Sequence, residues 1–276
     1  PAALVDELRG AWDGGHVIWL AQGIAAEFPL AAEPADFWQI WERLQAEGFD
    51  LAIQPTRGRR KAVLLADMDS TMIQQECIDE LADVAGVGER VAEITARAMN
   101  GELNFHEALL ARVGLLAGLR ESAIAEVLDN RITLAPGGRQ LVATMHAQGA
   151  YAALVSGGFT DFTGPVARAL GFDEHRANTL LAEEGVLTGH VALPILGREA
   201  KVEALRDITA ARGLTPAEVL AVGDGANDLD MLKLAGMGVA LHAKPVVAAQ
   251  VGLRINHGDL TALLYLQGYA AEEFAG

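Results

Sequence analysis

The feature that most limits what this chain can fold into is the apolar run Ala62, Val63, Leu64, Leu65, Ala66, which ends abruptly in Asp67, Met68, Asp69, Ser70 and Thr71. A short, continuously apolar segment bounded by polar residues suits a strand buried on both faces of a parallel sheet. Side chains two apart on a strand share a face, so Asp67 and Asp69 can aim into one crevice at the strand's carboxyl end. Two carboxylates that close repel each other unless a cation or a proton sits between them. The stretch therefore predicts a metal, a shared proton, or both. The plainer reading of a lone Asp after an apolar run is a turn or a helix cap.

The rest of the chain sets that strand in an α/β context. After residue 134, strand and helix patterns alternate: Gly138 to Gln148 helical, Tyr151 to Val155 a strand, Phe162 to Leu170 helical, Asn178 to Val191 a hairpin turning at Glu183, Glu184 and Gly185. Ala200 to Arg212 then reads as a helix, Val219 to Val222 as a strand, Asp228 to Ala235 as a helix and Met237 to Leu241 as a strand, with short helices at Pro245 to Gln250 and Leu260 to Gln267. Such alternation implies a parallel sheet covered on both sides. Residues 76–133 carry helical periodicity almost throughout, with Gly86, Gly101 and Gly118 as punctuation. An insertion at that point lies over the carboxyl end of the first strand and can exclude water as a lid. Residues 1–58 read as a small α+β unit, with strands at Val17 to Ala21 and Phe49 to Ile53 and an amphipathic helix from Asp36 to Ala46. Pro55 to Arg60 reads as a solvated basic linker.

Composition narrows the partners. A formal net charge of -16 argues against polyanions, both nucleic acid and anionic membrane surfaces. The single cysteine, Cys77, allows no internal disulfide and no Cys-rich metal site, which fits a reducing compartment and predicts a cytoplasmic protein. No apolar stretch approaches the ~18 residues of a membrane span. The seven histidines show no ligand spacing. A small molecule is the expected partner, and a homodimer stays open.

Four segments occur in a telling order: Asp67 to Thr71; Ser156, Gly157 and Gly158 after a strand; Lys201 at a helix start; and Gly223 to Asp228 after another apolar run. That order resembles the haloacid-dehalogenase-type phosphatase superfamily and, within it, the phosphoserine phosphatases. The resemblance is close over residues 61–268 and loose over the first sixty. It implies a Rossmann-like parallel core (59–75 and 134–276), an inserted helical cap (76–133) and a reduced regulatory-like domain (1–58). It also implies hydrolysis of O-phosphoserine with Mg²⁺, the last step of serine biosynthesis.

The roles follow from the same resemblance and make chemical sense. Asp67 is the expected nucleophile, forming an aspartyl-phosphate. Asp69 is the expected general acid and base. The implied metal ligands are the Asp67 and Asp224 side chains and the Asp69 main-chain carbonyl, with Asp228 in support. Ser156, Gly157 and Gly158 would cradle phosphate with a hydroxyl and exposed N–H groups. Lys201 would balance charge in the transition state, and Asn227 would hold the phosphate network. Glu76 suits an ammonium and Arg112 a carboxylate, the two ends of an amino-acid leaving group. Met99 and Phe105 match the apolar lining of the cap. His242 and Lys244 follow the last strand near the rim, where they can border the site, but they read as structural. Without the resemblance, Ser156 to Gly158 is an ordinary turn, Lys201, Glu76 and Arg112 are surface charges, and Met99 and Phe105 are core. Two other functions compete: a phosphotransferase or mutase on the same fold, and a receiver-like regulatory module phosphorylated on Asp67. A dehalogenase is disfavoured, since carbon–halogen cleavage needs no metal and no Asp pair.

Overall fold

The computed structural model describes residues 1–99 and 102–276. The chain opens with α1 (Ala2–Ala11), a hairpin of β1 (Ile18–Ala21) and β2 (Ala25–Glu27), and α2 (Phe37–Ala46). Phe49 to Ile53, expected as a strand, joins no ladder. Its hydrogen-bonding capacity goes elsewhere. The Asp50 carboxylate accepts from the N–H groups of Asn256, His257 and Gly258 at 2.8, 3.1 and 2.8 Å, and Gln54 donates to the Leu266 carbonyl at 2.6 Å. The segment docks on the C-terminal part of the chain instead of pairing with a strand. The basic linker is likewise not simply solvated: Arg59 pairs with Glu27, and Arg60 pairs with Glu273 at 2.8 Å and lies over the Tyr269 ring.

The apolar run forms β3 (Val63–Ala66). Four helices follow, α3 (Cys77–Val84), α4 (Gly88–Met99), α5 (Phe105–Gly114) and α6 (Ser122–Asn130). All four fall within residues 76–133. The chain then continues through α7 (Gly138–Ala147), β4 (Tyr151–Phe159), α8 (Thr160–Leu170) and β5 (Glu174–Asn178). β5 was not foreseen, because Glu174, His175 and Arg176 give an edge strand no apolar signature. The expected hairpin is β6 (Leu180–Glu183) and β7 (Val186–Val191), turning through Glu184 and Gly185, both at positive φ. The remaining elements are α9 (Arg198–Ala211), β8 (Val219–Gly223), α10 (Leu229–Leu234), β9 (Met237–Leu241), α11 (Pro245–Ala248), β10 (Leu253–Ile255) and α12 (Ala262–Leu266).

Six strands make one sheet in the order β10-β9-β8-β3-β4-β5, every neighbouring pair parallel. β3 is central and all four of its residues are buried. Its side chains alternate between two cores. Leu64 and Ala66 pack with residues of α7 and α8, such as Leu141 and Phe162; Val63 and Leu65 pack with Leu205 of α9 and Met231 of α10. Each fully buried Leu or Val contributes about 1.5–3 kcal/mol, so the end of β3 is held from both faces. After β5 the chain crosses to the other side of β3 to form β8. The order of connections therefore reverses at β3, and a crevice opens at the carboxyl ends of the strands. The β6–β7 hairpin grips the insertion from the side: the loop between α5 and α6 exchanges backbone bonds with it, from Gly118 N–H to Leu187 carbonyl and from Leu187 N–H to Leu119 carbonyl.

Candidate active site

Parallel register brings the acidic motifs together. Ala66 pairs with Leu154 on one side and Val222 on the other. The residues that follow, Asp67, Val155 with Ser156, and Gly223 with Asp224, leave the sheet abreast. The Asp67 N–H still donates to the Val222 carbonyl at 3.0 Å. Beyond it Ser70 takes a left-handed φ of 56°, which turns the chain toward the inserted helices. The Met68 carbonyl then accepts from Thr71, Met72 and Ile73, and Met68 itself points into the core, away from the crevice.

The strand ends enclose a cavity of about 100 Å³. Its lining holds four carboxylates, Asp67, Asp69, Glu76 and Asp224; the expected cradle of Ser156, Gly157 and Gly158; and Asn227, Gly225 and Lys244. Lys201 and Asp228 lie beneath, both fully buried. The Lys201 ammonium sits 2.6 Å from Asp67 and 2.5 Å from Asp228. Burial alone would lower its pKa, but the charges of Asp228 and Asp67 reverse the effect and raise it, so it stays a cation.

Asp67, Asp224 and Asp228 each bring an oxygen within 4.8 Å of the others. Three buried carboxylates face one ammonium, an excess of negative charge that a divalent cation would neutralise. Asp228 has little left to offer such an ion: one oxygen takes Lys201 and the other the Gly225 N–H at 2.9 Å. Asp67 spends one oxygen on Lys201, and Asp224 one on the Thr71 hydroxyl at 3.4 Å, so each keeps one free. The Asp69 carbonyl accepts no hydrogen bond among the described residues. A set of hard oxygen donors fits Mg²⁺ better than a softer metal.

The electrostatics separate the carboxyl groups. Burial, then the Asp228 charge, pushes Asp67 well up, and Lys201 opposes this. Burial and the Glu76 charge hold Asp69 up at about 7, against the Cys77 N–H that donates to it at 3.3 Å. Burial, Asp228 and Glu76 push Asp224 up to about 6. A carboxyl near 7 is placed to both give and take a proton at neutral pH.

The inserted helices contribute less directly. Glu76, the residue before α3, accepts from the Ser70 hydroxyl at 2.7 Å and reaches the cavity. Arg112 of α5 does not line it. Its guanidinium is lowered in pKa by burial, is raised by the charges of Asp79, Glu76 and Asp69, and makes no ion pair among the described residues. Phe105 lies over the cradle: a Cβ on Gly157 or on Gly197 would stand 3.2 Å from its ring. The Met99 side chain lies outside the described residues.

Two lining residues were not assigned to the site by sequence. Gly225 sits where a Cβ would collide with Asn227, which the glycine in that motif signals. Lys244, expected to be structural, donates its N–H to the Asp224 carbonyl at 3.2 Å and brings a cation to the cavity. Its place after β9 puts it near the rim, but nothing in the sequence marks it as functional.

The profile of the haloacid dehalogenase-like hydrolases matches residues 64–233. A phosphoserine phosphatase of Streptomyces coelicolor is 44% identical over 83% of this chain and 56% of its own, so the chain spans little more than half of that relative. A phosphoserine phosphatase of Streptococcus thermophilus is 46% identical over 72% of this chain and 93% of its own. Among solved structures, a HAD family hydrolase of Salmonella enterica serovar Typhi superposes with a TM-score of 0.87 at 31% identity, covering 96% of this chain and 94% of that one.

Proposed function

Because this chain belongs to the haloacid dehalogenase-like hydrolase family, within the group of the phosphoserine phosphatases, we propose that it hydrolyses O-phosphoserine to serine and inorganic phosphate. One observation carries the reading: Asp67, Asp69 and Asp224 share a cavity with Ser156, Gly157 and Gly158, and Lys201 is paired with Asp67 from below. In this reading the core is 59–75 with 134–276, residues 76–133 form the cap and 1–58 a separate small domain. The reaction is then the last step of serine biosynthesis, a cytoplasmic one.

The phosphoryl group enters the cradle, where the Ser156 hydroxyl and the Gly157 N–H donate to its oxygens. Ser156 Oγ already accepts from Gly158 N–H at 2.9 Å, which leaves its hydroxyl hydrogen to give. An Asp67 oxygen attacks phosphorus as the bond to the serine oxygen breaks, and Asp69 gives that oxygen its proton. A water then loses a proton to Asp69 and attacks phosphorus, which frees phosphate and restores Asp67. Lys201 fixes Asp67 in place and offsets negative charge throughout. Asp67, Asp224 and the Asp69 carbonyl would hold Mg²⁺, which screens the nucleophile from the phosphate dianion and polarises the phosphoryl group. Glu76 would take the ammonium of the leaving serine and Arg112 its carboxylate, while Phe105 helps exclude water.

Phosphate release from phosphoserine, phosphothreonine, phosphoethanolamine and a sugar phosphate, with Mg²⁺ and with EDTA, tests this. The highest kcat/KM is expected for phosphoserine, with loss of activity in EDTA and recovery on adding Mg²⁺. Preference for the sugar phosphate, or turnover that resists the chelator, would overturn it.

A further inference from the structure

The phosphate cradle is a bulge. β4 and β5 are paired as far as Val155 with Arg176 and resume at Phe159 with Asn178, so between those points β4 runs over more residues than its partner. Ser156, Gly157 and Gly158 stand opposite the single residue Ala177, a surplus of two that pushes this stretch out of the ladder toward the cavity. A bulge strips backbone groups of their strand partners. Asn178, the last residue of β5, supplies one from its side chain. Its Nδ2 donates to the Gly157 carbonyl at 2.8 Å and to the Leu196 carbonyl at 3.1 Å, and its Oδ1 accepts from the Leu196 N–H at 2.7 Å.

Asn178 is 2% exposed and Gly157 and Leu196 are half-buried, so without this side chain these groups would lose their partner in a site that water reaches only in part. Two carbonyls and one N–H meeting at one side chain call for a primary amide: a carboxylate has no donors, and a hydroxyl has only one. The bond to Gly157 also sets a direction. A trans peptide is planar, with its C=O and N–H opposed. Holding the Gly157 carbonyl toward Asn178 turns the next N–H, that of Gly158, the other way, where it meets Ser156 Oγ at 2.9 Å in the lining of the cavity. Leu196 in turn precedes Gly197, on which the Phe105 ring rests, and α9, which carries Lys201.

We propose that Asn178 is a positioning residue for phosphoryl binding, holding the β4 bulge so that the Gly158 N–H anchors Ser156 Oγ and the Ser156 hydroxyl faces the phosphoryl oxygens. The inference rests on the phosphatase reading and adds to it a residue that never touches the substrate. It acts on the phosphoryl half of any substrate alike, whereas Glu76 and Arg112 act on the amino-acid half.

The test uses the full chain with Asn178→Ala and Asn178→Asp, assayed below the melting temperature of each. The expected loss in kcat/KM is about 10²-fold, the same for phosphoserine and nitrophenyl phosphate, because displacing a binding group by about 1 Å has that effect. The Ki of orthophosphate as a competitive inhibitor should rise by on the order of 10-fold, the effect of about one hydrogen bond. A lower melting temperature with Ki and kcat/KM unchanged would reduce Asn178 to a structural role and overturn the inference. Should neither variant fold, the wild type decides. Its Gly158 amide resonance is expected to shift on titration with orthophosphate, and a Gly158 amide that stays put while neighbouring cradle amides respond overturns the inference. A wild type that neither releases phosphate nor binds orthophosphate overturns the phosphatase reading itself.

Discussion

The strand ends and the inserted helices treat charge in opposite ways. At the ends of β3 and β8, Asp67, Asp224 and Asp228 are buried, and each already has a bonded partner: Lys201 for Asp67 and Asp228, Thr71 for Asp224. Their geometry comes from strand register, which cannot slip by one residue without turning every buried side chain of β3 to the wrong face. In the inserted helices Glu76 takes one hydroxyl and Arg112 gives its Nε to the Ala108 carbonyl of its own helix, so the guanidinium fork keeps its remaining donors. A rim that is rigid and held by fixed partners suits bond breaking, where groups must be in place beforehand. A helical layer with donors in reserve suits recognition, and it can differ between relatives without disturbing the rim.

The largest expected effect falls on the rim. Asp224→Ala should lower kcat by roughly 10³-fold or more, since a lost cation site is worth several kcal/mol and each 1.36 kcal/mol is about tenfold. Activity within tenfold of the parent in Mg²⁺ would break the division of labour drawn above. Next comes the helical layer. Arg112→Ala should raise KM for phosphoserine by about 10²-fold while nitrophenyl phosphate is nearly unaffected, because a buried charged bond to the ligand is worth 2–5 kcal/mol. Equal losses on both substrates would place Arg112 with the rim.

A pH profile probes where the two regions touch. Glu76 is, after burial, the main cause that holds Asp69 up at about 7. Asp69 must be protonated to serve the leaving oxygen, so kcat/KM falls as pH rises through its pKa. Glu76→Gln removes the charge that raises this pKa, and the alkaline limb should move to lower pH. A limb that stays in place would show that Glu76 does not act on Asp69. The smallest effect belongs to the first unit of the chain. Asp50→Ala strands three N–H groups and should lower stability by about 1–3 kcal/mol in denaturant unfolding. kcat should not change; a fall would bring residues 1–58 into catalysis.

How much of this was legible in the sequence follows the same division. β3, β4, β8 and β9 were readable because buried parallel strands are continuously apolar, and once they were aligned the convergence of Asp67, Ser156 and Asp224 followed. β5 and β10 were not readable: Glu174–Asn178 is a polar edge strand that takes its conformation from the neighbour, and Leu253–Ile255 is only three residues long. Phe49 to Ile53 was misread for the reverse reason: apolar residues flanked an Asp whose carboxylate replaces a ladder. Asn178 stayed hidden, and Lys244 was placed near the rim but read as structural, because their importance lies in contacts between segments far apart in the chain. Lys201 is a case where local reading alone would fail: a Lys in the first turn of a helix looks solvated, yet it is 1% exposed between two carboxylates.

The central claim is that Asp67 carries the phosphoryl group. Acid quenching of the protein during turnover of phosphoserine in Mg²⁺, followed by peptide mapping, addresses it directly, with Asp67→Asn as control. The account predicts phosphate on the peptide that contains Asp67, and an Asn variant that keeps its fold but forms neither the adduct nor free phosphate. Phosphate release sustained by the Asn variant, or an adduct mapped to another residue, would contradict it.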